Sequence, residues 1–300
     1  MREIHKVPAS AGAEWLLTGF TLLRRAPLAL GLLGVIWALA TLLALALAML
    51  VPALGTLVQL LLVLAGPVFM GGLLWAIREV DQGRAAMPSH LLQGLHENRA
   101  PHLLVSLLPQ ILAGLLLGIL LLVLIGSSGL HQLSDVMMQI NAAQQAGSQP
   151  DPAQLEQLVM ALPAGRILLW LLLVLVTFVA LTLALFVMTP QVMFDGSGGW
   201  KALRNSLRAS IHNLPAMLVF VVLAFVSLFA VYFAVMVVSL IAGLILGQVV
   251  ATVLAQILLM GVLMPVFSGA VYAAWKQMLG DAGHAGGTPP TSSHKHVIEA

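Results

Sequence analysis

The sequence predicts an all-α polytopic membrane protein, and three observations carry that reading. Hydrophobic residues make up 60% of the chain and charged ones only 8%, far from the globular balance of about half apolar and a quarter charged. Unbroken Leu, Val and Ala runs recur six times, each reaching the roughly 20 residues a spanning helix needs. A polar, partly basic amphipathic stretch also runs three times into a proline that opens a span, at Pro27, Pro101 and Pro215. A second proline then sits near the end of each returning span, at Pro67, Pro190 and Pro265. This pattern predicts six transmembrane helices arranged as three hairpins, each preceded by an interfacial amphipathic helix. Such runs favour helices over the alternating pattern of a membrane β-barrel.

The spans fall at about 27–50, 54–77, 103–125, 167–189, 215–241 and 244–275. None has Asp, Glu, Lys, Arg or His in its middle, so the charges that mark proton relays, ion paths and voltage sensors are missing. The N-terminal stretch is not followed at once by a short apolar core and a small-residue cleavage site, so the first span is expected to stay in place.

The first unit, about 10–78, opens with Trp15, Leu16, Gly19, Phe20 and Leu23 on one face and Thr18, Thr21, Arg24 and Arg25 opposite. That is the spacing of a helix lying on a membrane surface. Pro27 then suits the first turn of the next helix, because it has no N–H to donate and disfavours a helical predecessor. The second unit, about 88–194, sets Leu91, Leu92 and Leu95 against His90, Gln93, His96, Glu97 and Arg99, with Ser89 placed to cap the helix. Its two prolines are 89 residues apart, against 40 and 50 in the other units.

Most of that excess is an external insertion at about 127–164. Leu130, Leu133, Val136, Met137 and Ile140 predict one amphipathic helix there, and Leu155, Leu158, Val159 and Leu162 a second. The pair is mildly acidic, and is read as a lid or a binding surface. The third unit, about 197–279, has Trp200, Leu203, Leu207 and Ile211 on one stripe and Lys201, Arg204, Asn205 and Arg208 on the other. Pro67 and Pro265 share Pro-Val-Phe-x-Gly. Residues 1–279 form a single membrane domain, and 280–300, without periodicity or bulk, read as a disordered tail.

Orientation follows from the basic residues. With the N-terminus inside, twelve of the thirteen Lys and Arg fall on the inner side, and only Arg166 falls outside. The positive-inside rule therefore places both termini in the cytoplasm. Trp15, Trp75, Trp200 and Trp275 fall near the same interface, where indole rings sit at headgroup level.

No catalytic or metal constellation emerges. There is no cysteine, and His5, His90, His96, His102, His131 and His212 are scattered over interfacial or loop segments. The glycine-rich Asp195-Gly-Ser-Gly-Gly-Trp200 reads as a turn capping the following helix through Ser197. The reading is non-enzymatic, with no cofactor, and the formal charge of +2 gives no argument for nucleic acid. Candidate lipid-headgroup contacts are Arg24, Arg25, Arg99, Arg204 and Arg208, each worth about 1 kcal/mol near an anionic surface. Candidate intramembrane polar positions are Gln59, Thr182 and Gln256, which precede their units' returning prolines by eight, eight and nine residues.

The opening Arg2-Glu-Ile-His-Lys-Val-Pro-Ala-Ser10, the Glu14-Trp15-Leu16 helix, Arg25-Ala-Pro27 and Gly66-Pro-Val-Phe69 resemble an uncharacterised family of bacterial six-helix inner-membrane proteins. The third unit, from Trp200 to Asn213, is more distantly similar to the membrane domain attached to some glycerophosphodiester phosphodiesterases, whose catalytic domain has no counterpart here. The resemblance implies a bacterial inner membrane and transfers no catalytic residue. Together these readings predict a protein that organises anionic lipid, or a membrane-protein partner or second copy of itself, at the cytoplasmic face. The alternative is a transporter or exporter of an uncharged or lipid-like solute without ion coupling, since internal repeats and proline-broken helices are common in transporters.

Overall fold

The computed structural model describes residues 4–145, 160 and 163–280, and among these all regular structure is helical. In chain order the helices are α1 (Ala11–Arg25), α2 (Pro27–Leu50), α3 (Pro52–Asp81), a 3₁₀ turn (Pro88–Leu92), α4 (Gln93–His96), α5 (Ala100–Leu104) and α6 (Leu107–Gln145). They continue as α7 (Ala164–Leu185), α8 (Met188–Asp195), α9 (Gly199–His212), α10 (Leu214–Leu246) and α11 (Gln248–Leu279). Six segments are long and apolar enough to cross a membrane: α2, α3, the run from α5 through α6, α7 with α8, α10 and α11. The chain is a multi-pass membrane protein. The expected second helix of the insertion, around Leu155 and Leu162, and the tail beyond 280 lie outside the described residues.

The links between spans show why these helices end where they do. A single residue, Val51, separates α2 from α3, held extended (φ −139°, ψ 91°) ahead of Pro52, because a proline ring clashes with a helical predecessor. A single Gly247 separates α10 from α11 at φ 88°, a positive-φ conformation open to glycine because it has no Cβ to clash. In α6 the helical path breaks at Gly126 (φ 72°, ψ 173°), where the apolar run ends. Residues 107–125 form the spanning part, and 127–145 leave at an angle as the first helix of the insertion.

At the other end of the bundle, the His5 N–H donates to the Met278 carbonyl at 3.0 Å, so both described chain ends lie together. α11 is the hub, packed along α1, α2 and α10 and reaching α3. Small residues permit these approaches. A methyl on Gly34 would lie 2.3 Å from the Met260 carbonyl oxygen, and one on Gly12 2.2 Å from that of Ala216, which is the close backbone packing that glycines allow between membrane helices.

One packing relation recurs around the molecule. The segment 88–104 packs on α3, α9 packs on α7 and α8, and α1 packs on α11. The segment 88–104 and α9 thus each rest on the spanning helix that precedes them in sequence, and α1 rests on the last one, α11. The returning helices meet in an aromatic cluster in which Phe194 lies 6.2, 5.8 and 5.0 Å from Trp75, Tyr272 and Trp275 between ring centroids. The α6–α7 hairpin differs from the other spans. Its helices pack on each other, with the Trp170 Nε1–H donating to the Leu117 carbonyl at 3.0 Å, but neither packs extensively along α2, α3, α10 or α11.

Two local expectations change. The leading segment of the second unit is not one helix but a 3₁₀ turn, α4 and α5, interrupted by Asn98 at φ 52°, a conformation that Asn tolerates better than most residues. Ser89 lies inside the 3₁₀ turn, and it is His90 Nδ1 that accepts the Met87 N–H, at 3.2 Å. Likewise Gly198, not Ser197, occupies the N-cap of α9, while the Ser197 N–H closes α8 on the Gln191 carbonyl at 3.3 Å.

Candidate functional site

Helix α9 presents three distinct faces, because its sequence places three residue classes at separate angles of a 3.6-residue turn. Gly199, Ala202, Ser206, Ala209 and Ser210 are buried. This small-residue face locks onto the break between α7 and α8. Pro190 cannot donate to the carbonyl four residues earlier, and the chain loosens at Phe186 and Val187. There the Ser206 hydroxyl accepts the Val187 N–H at 3.0 Å, and the buried Gln191 donates to the carbonyls of Val187 (3.0 Å) and Ala202 (3.3 Å).

The second face carries Trp200, 64% exposed, and Ile211, 57% exposed, with Leu207 between them. The third carries Lys201, Arg204, Arg208 and His212, all exposed. α9 contains no acidic residue, and its cations make no ion pair among the described residues. A large apolar stripe beside an unneutralised basic one is the pattern by which a helix meets the lipid interface.

The other arginines divide. Arg24 is exposed at the end of α1 without an ion pair among the described residues. Arg25 lies 3.9 Å from Asp81, whose carboxylate also accepts from Tyr272 at 3.0 Å and from Lys276 at 2.8 Å. Arg99 turns inward. Its guanidinium rests on Gly196, where a methyl would meet Nη1 at 3.0 Å, and its Nε is buried without a hydrogen-bond partner.

The apolar face of α1 does not meet lipid as expected. Trp15 is 0% exposed and packs against Phe186 and Phe220, and its Nε1–H donates to the Gln277 side chain at 2.8 Å. Gly12 and Gly19 bring this face onto α10 and α11, so its apolar stripe belongs to the bundle. Of the four tryptophans expected at this interface, Trp200 alone is widely exposed; Trp75 and Trp275 are half-buried in the aromatic cluster.

The intramembrane polar residues remain apart. Gln59 lines a cavity of about 230 Å³ between α2 and α3 with Trp37 and Thr41. Thr182 donates to the Phe178 carbonyl of its own helix at 2.8 Å, and Gln256 is half-buried on α11. No hydrogen bond joins any two of the three among the described residues. Nor do three His, Asp or Glu side chains there come together as a metal site.

Sequence reasoning missed Asp81 and Asn213. Asn213 accepts the Val7 N–H at 2.8 Å and donates to the His5 carbonyl at 3.1 Å, tying residues 4–8 to the start of α10. An asparagine directly before the span-opening Leu214-Pro215 was its only local signal. Comparison with protein-family models, curated proteins and solved structures finds no match for this chain.

Proposed function

We propose that the protein is a non-enzymatic integral membrane protein that gathers anionic lipid at the cytoplasmic face of a bacterial inner membrane. The single observation behind this reading is the outer surface of α9, where Lys201, Arg204 and Arg208 stand exposed beside Trp200, Leu207 and Ile211. The apolar stripe sinks to the level of the acyl chains, and the guanidinium groups remain among the phosphates. The buried small-residue face anchors α9 to the bundle, so little ordering is required when lipid arrives. Arg24 is a further exposed cation at the end of α1, while Arg25 is partly neutralised by Asp81 and Arg99 is turned away. A protein partner carrying an acidic patch would use the same residues.

The test is extraction in native lipid patches followed by lipid mass spectrometry. The wild-type protein should carry more anionic lipid than the bulk membrane, and Arg204→Ala with Arg208→Ala should remove most of that excess. Equal lipid composition in patch and bulk would refute the reading. Co-purification of one acidic protein, lost in the same double variant, would favour the partner instead.

A further inference from the structure

A second polar surface lies where the three returning helices converge, separate from α9. An open-mouthed cavity of about 940 Å³ is walled by the N-terminal segment at His5, Lys6 and Val7 and floored by Phe194, Tyr272 and Trp275. Its carboxylates are engaged. Glu14 accepts from Gln277 at 3.2 Å, Asp81 from Tyr272 and Lys276, and Asp195 from the Trp275 indole at 3.2 Å.

Arg78 differs from these groups. Half-buried at the end of α3, its guanidinium carbon lies 5.4 Å from the Trp75 ring centroid and 5.1 Å from that of Phe194. It makes no ion pair among the described residues. A guanidinium held against aromatic rings keeps its edge N–H groups available as a rigid fork, the geometry that pairs bidentately with phosphate. Low local dielectric strengthens such a pair.

We propose that this cavity binds a phosphate-bearing anion, with the phosphate on Arg78 and the organic part over Phe194 and Trp275. Lys6, exposed at the rim without a described ion pair, adds attraction at the mouth. The volume exceeds what a bare phosphate fills, so a phosphate ester is the fitting class. Two sources offer that chemistry: a phospholipid headgroup entering along the membrane surface, or a soluble phosphate ester arriving from water. The inference does not depend on the reading of α9.

The test uses the full chain in phosphate-free maltoside micelles. Arg78 is modified with phenylglyoxal and followed by peptide mass spectrometry, with no addition, with sn-glycerol 3-phosphate, or with phosphatidylglycerol mixed into the micelle. At least a fivefold slowing of Arg78 modification is expected in one arm or both. Slowing by the soluble ester alone assigns the site to a soluble ligand, and slowing by the lipid alone assigns it to a headgroup. Tryptophan fluorescence, reporting Trp75 and Trp275, should respond to the same probe, with the response lost in Arg78→Gln, partly kept in Arg78→Lys and unchanged in Arg84→Gln. Equal modification rates in all three conditions would overturn the proposal, and so would a full fluorescence response in Arg78→Gln. The protection measurement needs only wild-type protein, so a folding defect in the variant leaves the question decidable.

Discussion

Replacing Gly19 with Ala should force α1 away from α11. A methyl at this position would lie 2.1 Å from the Val266 carbonyl oxygen and 3.1 Å from the Ala270 nitrogen. Close carbon–oxygen contacts settle at about 3.3–3.6 Å, so the backbones must part by about 1.2 Å. Neither obstacle is the movable end of a side chain. Overpacking of this kind costs about 1–3 kcal/mol, and separation also loosens Trp15 and Leu16, which are 0% and 5% exposed. The total should reach about 3 kcal/mol, a fall in Tm of about 5 °C or more for a chain of this size. Thermal unfolding in detergent, read by the aggregation-free monomer peak on size exclusion, measures it. Gly114→Ala is the control, since nothing lies within 4 Å of a methyl there, and its midpoint should match or slightly exceed the wild type, because alanine favours a helix interior over glycine. If Gly19→Ala melts with the wild type, α1 is not wedged into the bundle, and its apolar stripe lies on the membrane instead.

Single cysteines at Gln59, Thr182 and Gln256, in a chain that has none of its own, should resist an impermeant maleimide, while Ser197→Cys labels from the cytoplasmic side. Labelling of all three would establish a water path and favour transport of an uncharged or lipid-like solute. Asn213→Ala removes the hydrogen bonds holding residues 5 and 7 and leaves buried groups unpaired at a cost of about 1–3 kcal/mol. Limited proteolysis near Lys6 should then accelerate at least fivefold with the bundle still folded, whereas an unchanged rate would show that Asn213 does not hold the segment.

The six spans were legible because a bilayer dictates both their length and the internal satisfaction of their backbones. Pro27 likewise marked where α2 begins, but the Val51 and Gly247 links were not read. The last two spans were expected at 215–241 and 244–275, whereas α10 runs to Leu246 and α11 starts at Gln248, because an unbroken apolar run shows no turn until a glycine takes positive φ. The role of α1 was not legible from its apolar stripe. A stripe of Trp15, Leu16 and Phe20 suits a lipid interface and a protein groove equally, and the deciding signal was Gly12 and Gly19, seven residues apart on the same face. In α9 the apolar stripe drew attention, yet the small stripe through Ala202, Ser206 and Ala209 sets which way the helix faces. Asp81 escaped because its partners Tyr272 and Lys276 are 191 and 195 residues away in sequence, and no local pattern encodes such a meeting. Of the arginines, sequence placed all five at a basic surface, but only packing separates Arg99, folded onto Gly196, from Arg204 and Arg208.

The central claim is that α9 draws anionic lipid to the protein, and spin-labelled lipids in a reconstituted bilayer measure this directly. Two guanidinium groups at about 1 kcal/mol each amount to about 2 kcal/mol, up to about thirtyfold in relative association. Phosphatidylglycerol should therefore show a larger motionally restricted fraction at the protein than phosphatidylcholine. That preference should shrink as salt shortens the electrostatic range and fall at least fivefold in Arg204→Ala with Arg208→Ala. Equal restricted fractions for the two lipids in the wild type at low salt would contradict the account.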